Sequence, residues 1–144
     1  MDDLVRWLGQ QLNEDERIAR AACWDEQSDE WTARPPQASY ERYTVADYLD
    51  DGVVVVTPEN ADADGVGQHV ALHDPARVLR EIEAKRLQIA WCTATIGHRD
   101  PARYRDALEK DDPDALAVML AVKTLRLLAG PYADRPGYRE EWRP

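Results

Sequence analysis

The chain has 144 residues, 44% hydrophobic and 32% charged, a mixture that folds as a globular domain and buries about two-thirds of its unfolded surface. Its 18 Lys and Arg stand against 28 Asp and Glu, and a net charge of −10 repels phosphate backbones, which argues against sequence-general nucleic-acid binding. Cys23 and Cys92 are too few for a disulfide framework and MDDLVRW lacks the basic-then-apolar pattern of a secretory leader, so a single domain, 1–144, in a reducing cytoplasm is expected.

In chain order, Leu4, Leu8, Leu12, Ile18, Ala19 and Ala22 recur at helical spacing, with Asp2 and Asp3 at the positive end of the dipole. This predicts an amphipathic helix over 3–23. Between Trp24 and Gln68 the residues change character. Trp31, Tyr40, Tyr43, Val45, Tyr48 and Val53 to Val56 are strand formers, punctuated by Pro35-Pro36, Asp51-Gly52 and Pro58. A small antiparallel sheet is expected over about 30–72, with Gln68 to Leu72 as a further strand.

Three later segments open with Asp-Pro, at 74–75, 100–101 and 112–113. An aspartate accepts hydrogen bonds from the free N–H groups of a first helical turn, and a following proline lacks only an N–H that would be unpaired. Helices are therefore expected over about 75–91, 101–109 and 113–129. The first carries Val78, Leu79, Ile82, Arg86 and Ile89 on one face, with Glu81 and Lys85 paired toward solvent. The last is apolar nearly all round and stops at Gly130-Pro131, as a helix through the middle of the domain would. Its apolar stretch, Ala115 to Ala129, includes Lys123 and Arg126 and falls short of the roughly 20 residues a bilayer needs, so no membrane partner is expected. Pro131 and Pro136 then impose an extended tail. The fold class is α+β, three to four helices with a small sheet.

Three segments carry a family resemblance: the opening MDDLVRWL, QHVALHDPARVLREIEAKR from Gln68 to Arg86, and TLRLLAGPYADRPGYREEWRP from Thr124 to Pro144. They resemble an uncharacterised family of small actinobacterial and phage proteins. The resemblance implies a compact cytoplasmic protein, and it transfers no activity and no catalytic residue.

His69, His73, Cys92 and His98 are zinc-ligand types within a short span. A strand at 69–73 would hold the histidines about 13 Å apart, and a helix over 74–91 would part His73 from Cys92 by about 27 Å, so they read as surface or cap-flanking residues. Asn60, Asp62 and Asp64 before Gly65 imitate half a calcium loop, but the twelfth position is Ala71 where a bidentate glutamate belongs, and a polar turn between two strands is the expectation. Glycine-rich phosphate loops, a G-x-S-x-G elbow and H-E-x-x-H are lacking. Cys92 with His98 as base is a nucleophile arrangement, yet a cysteine beside Trp91 reads as buried packing. No catalytic residue, metal or cofactor is assigned.

Five tryptophans and six tyrosines with no phenylalanine favour interfaces as well as cores, because each ring combines apolar area with a polar tip. Trp7, Trp31, Tyr43 and Trp91 are expected in the core. Tyr132, Tyr138 and Trp142 either clamp the tail onto the domain or dock on a partner. The function expected is a non-enzymatic acidic domain that engages a basic protein. An inhibitor or immunity-like factor plugging a basic active site, a nucleic-acid mimic, and an enzyme with a motif-less carboxylate site are the alternatives.

Overall fold

The computed structural model describes residues 1–57, 62–99, 101 and 113–144. These form α1 (Asp2–Ala21), β1 (Thr32–Arg34), β2 (Tyr43–Ala46), β3 (Gly52–Val56), α2 (Ala63–Leu72), α3 (Pro75–Ile96) and α4 (Pro113–Ala129). The α+β class stands. The helix expected over 101–109 lies outside the described residues. The chain packs as two compact units, Met1–Glu14 with Glu83–Pro144, and Asp15–Ile82, so α1 and α3 each contribute to both.

In the unit Asp15–Ile82 the strands pair antiparallel in the order β1-β2-β3. Val45 faces Ala33 on one side and Val54 on the other, while Tyr43 faces Val56. Between the pairs Val45 to Val54 and Ala46 to Gly52 the register slips, leaving Val53 as a bulge. Alternation puts Tyr43, Val45 and Val56 on one face, where they form a core with Ala71 of α2.

Helix α2 replaces the strand expected at Gln68 to Leu72. Asp62 caps it, its carboxylate accepting from the Gly65 N–H at 2.8 Å. Gly67 lets it lie close on the sheet: a Cβ there would stand 2.7 Å from Cζ and 2.9 Å from Cδ1 of Tyr43. Asp74 caps α3 as its Asp-Pro step predicts, accepting from the Arg77 N–H at 2.7 Å and also from the Trp31 N–H at 3.3 Å. Helix α3 runs on to Ile96 rather than ending at 91. Glu81 pairs with Arg77 at 2.8 Å, whereas Lys85 lies 5.6 Å from the Tyr132 ring centre.

In the other unit α1 buries Leu4, Leu8 and Leu12 completely, each worth about 1.5–3 kcal/mol relative to exposure. Helix α4 is two-sided, not apolar all round in its surroundings. Ala115, Val118, Val122, Leu125 and Ala129 are buried, while Leu116, Leu120 and Leu127 on the opposite stripe are more than half exposed. A helix covered on one side buries one stripe, and this corrects the expectation of a fully enclosed central helix. By length and composition Asp114–Tyr132 would suffice to cross a bilayer, and 39% of that segment is buried within the chain. The tail is not extended throughout: Gly130–Tyr132 and Glu140–Trp142 are single 3-10 turns.

Candidate functional site

The best-organised polar cluster among the described residues sits where the segment after α1 meets the β2–β3 hairpin, all within the unit Asp15–Ile82. After α1 ends, Asp25 turns the chain. Its Oδ1 accepts from the N–H groups of Gln27 and Ser28 at 2.9 and 2.8 Å. The Ser28 hydroxyl, almost wholly buried, accepts from the N–H groups of Trp24 and Asp25 at 2.9 and 3.0 Å. That turn fixes where the Trp24 ring projects.

The hairpin supplies the other half. Asp47 is only 3% exposed, and such a carboxylate persists only with its oxygens paired. Oδ1 accepts from the N–H groups of Leu49 and Asp51 at 3.0 and 3.2 Å, while Oδ2 accepts from the Trp24 indole Nε1–H at 2.7 Å. Asp50 takes the left-handed conformation at φ 64°, which aspartate tolerates, and its carboxylate accepts from Arg34 Nε at 2.7 Å. The turn thereby projects Tyr48 beside Trp24.

The two rings stack with centroids 5.9 Å apart and planes 17° from parallel. The Tyr48 hydroxyl donates to Asp25 Oδ2 at 2.6 Å. Two aspartates thus pin the pair by its polar tips, yet Trp24 remains 61% exposed and Tyr48 46%. Hydrogen bonding to Asp25, with burial behind it, pushes the Tyr48 hydroxyl up to about 12. The same bond, more than the backbone N–H groups, holds Asp25 below the ordinary carboxylate value. A shallow groove of about 350 Å³ runs past Trp24, lined also by Ala22, Asp47, Asp51, Gly52 and Val53. A second, of about 460 Å³, flanks the tryptophan with Asp25, Glu26 and Asp29 and with Arg20, which is itself paired with Glu16. Chemically this is an exposed π surface with carboxylates in excess around it, which attracts a cation by quadrupole and by charge.

The residues singled out from sequence lie elsewhere. His69 and His73 are a helical turn apart, their ring centroids 4.5 Å from each other, because α2 is a helix where a strand would have parted them. Cys92 and His98 belong to the other unit, and among the described residues no group of three or more His, Cys, Asp or Glu gathers as a metal site. Asp62 is the α2 cap, and Asp64 accepts from the Tyr43 hydroxyl at 2.7 Å and from Gln68 at 2.8 Å; the turn opens a helix and does not join two strands. Asn60 lies outside the described residues. Burial raises both thiols, Cys23 and Cys92, away from the reactive range.

Tyr132, Tyr138 and Trp142 gather on Trp7, with ring centroids 6.4, 5.8 and 5.2 Å from it. The Trp7 indole donates to the Pro136 carbonyl at 3.0 Å, and Tyr132 and Trp142 are buried. Trp7 and Tyr43 are core residues as expected and Trp31 is half-buried, but Trp91 is 68% exposed. On α3 it shares with Leu87 the face opposite Ile82, Cys92 and Ile96. Trp24, Asp25, Asp47 and Tyr48 carried one legible sign of their arrangement, the Asp51-Gly52 turn.

The family model described as a family of unknown function (DUF6221) matches residues 1–144, and the chain belongs to that family. No curated protein matches it. No solved structure matches it either.

Proposed function

For a member of a family with no assigned activity, we propose a non-enzymatic, cytoplasmic interaction domain that binds a basic protein partner through the Trp24–Tyr48 plate and the carboxylates around it. One observation carries this reading: two large aromatic rings are held in register by buried and half-buried aspartates and still left open to solvent. Burial of apolar area normally removes such rings from water, and fixing them at the surface instead prepares them for a ligand. The net charge of −10 adds long-range attraction for a basic surface and raises its association rate. An inhibitor or immunity-like factor is one form this binding would take, the plate covering a basic active site. Within the cluster, the Tyr48 hydroxyl is pushed up to about 12 and the nearby Cys23 thiol moves upward, so neither is poised near neutrality as a general acid or base must be.

Calorimetry of the full chain against lysine- and arginine-bearing peptides tests the reading. Binding that weakens with salt, and about tenfold or more in Trp24→Ala, is expected for a cation resting on the indole with water excluded. Equal affinity for acidic and basic peptides would contradict it.

A further inference from the structure

β3 is a sheet edge that carries a run of four valines. β2 is its strand neighbour on one side, and among the described residues no strand pairs with the other. Val53, Val54 and Val55 are 37%, 39% and 49% exposed. Unpaired edges of this composition template further strands, and proteins ordinarily blunt them with lysine, proline, inward charge or a bulge. Gly52 to Val56 contains no charge and no proline, and its one such device is the bulge at Val53, which leaves Val54 to Val56 regular. At its start the edge opens onto the groove that Gly52 and Val53 share with Trp24, Asp47 and Asp51.

We propose that the outer edge of β3 binds an extended segment of a basic partner by strand addition, with a lysine or arginine of that segment resting on Trp24 between Asp47 and Asp51. The inference rests on the interaction reading above and names its mode. Backbone pairing supplies affinity that any sequence can provide, the valines favour β-branched or aliphatic residues opposite them, and the acidic groove selects the cation.

Charge decides against a second copy of this chain as the occupant. The strand is preceded by Asp50 and Asp51, and each copy carries a net charge of −10. Parallel pairing of two copies would set aspartate beside aspartate, and the like net charges oppose pairing in either direction; like charges directly opposite destabilise a sheet. Arg34 offsets Asp50, but among the described residues the Asp51 side chain has no such partner. A basic segment meets the opposite sign.

The test compares two peptides on the full chain: one alternating valine with threonine and ending in a pair of lysines, the other identical but N-methylated at alternate residues, which removes strand hydrogen bonds and keeps every side chain and charge. Strand addition predicts binding about tenfold or more tighter for the first, with slowed amide exchange confined to Gly52–Val56 and the hairpin. Equal binding of both overturns strand addition while leaving the cation site standing. Binding of neither overturns both. Protection by the first peptide at α4 or the tail, with none at β3, also overturns it.

Discussion

Replacing Gly67 by alanine sets two effects of opposite sign against each other. In a helix interior alanine is favoured over glycine by about 1 kcal/mol. Gly67 is buried, however, and its new methyl would overlap the Tyr43 ring, with Cζ and Cδ1 at 2.7 and 2.9 Å. The ring is a core group beside Val45 and Val56, and its hydroxyl is tied to Asp64 at 2.7 Å, so it cannot swing aside freely. Overpacking of this kind costs about 1–3 kcal/mol, and the tethered ring places it at the upper end. The net expectation is a loss of about 1–2 kcal/mol. Gly9 in α1 is the control, since a Cβ there meets nothing within 4 Å; Gly9→Ala should gain about 0.5–1 kcal/mol. Urea unfolding followed by circular dichroism reads both. Gly67→Ala as stable as the parent would refute the close approach of α2 to the sheet.

Three further outcomes follow from the packing and the titrating groups. Tyr43 and Tyr48 are each raised from 10 to about 12, by hydrogen bonding to Asp64 and Asp25 first and burial second, so the neutral hydroxyl is the form that folding favours. Their stabilisation is therefore fully present below about pH 10 and fades as pH rises toward 12; tyrosinate absorbance should show Tyr43 and Tyr48 titrating late, and loss of that late phase in neither Tyr43→Phe nor Tyr48→Phe would count against both bonds. Trp7→Ala removes the ring on which Tyr132, Tyr138 and Trp142 converge and should cost about 3–5 kcal/mol, with removal of residues 131–144 costing several kcal/mol as well; unchanged melting of the truncated chain would mean the tail is not a clamp. Asp74→Ala leaves the N–H groups of Arg77 and Trp31 without their acceptor and should cost about 1 kcal/mol.

How far the residues announce this fold depends on how local each signal is. Asp74-Pro75 and the Leu4, Leu8, Leu12 spacing act within one or two turns, and both were legible. Helix α2 was not, because Gly65 and Gly67 each lower helix propensity by about 1 kcal/mol and Val70 to Leu72 resembles a short buried strand. Tertiary packing reverses that preference, since only a glycine at 67 fits beneath Tyr43. Trp91 departs from the core expectation for a related reason: a large ring signals burial only when it lies on the helix face that is covered. The candidate site was hidden because its bonds span distance in sequence, Trp24 to Asp47 and Tyr48 to Asp25, and a hairpin brings them together. Tyr132 and Trp142, the aromatics most conspicuous in the sequence, meet Trp7 across almost the whole chain.

The central claim, that the Trp24–Tyr48 plate receives a cationic partner, is tested most directly by following the tryptophan indole N–H resonances of the full chain while a lysine- and arginine-bearing peptide is added. Saturable shifts are expected at Trp24 and at the amides of Gly52 and Val53, with Trp7 and Trp142 unmoved. Shifts confined to Trp7 and Trp142, or none at Trp24, would contradict it.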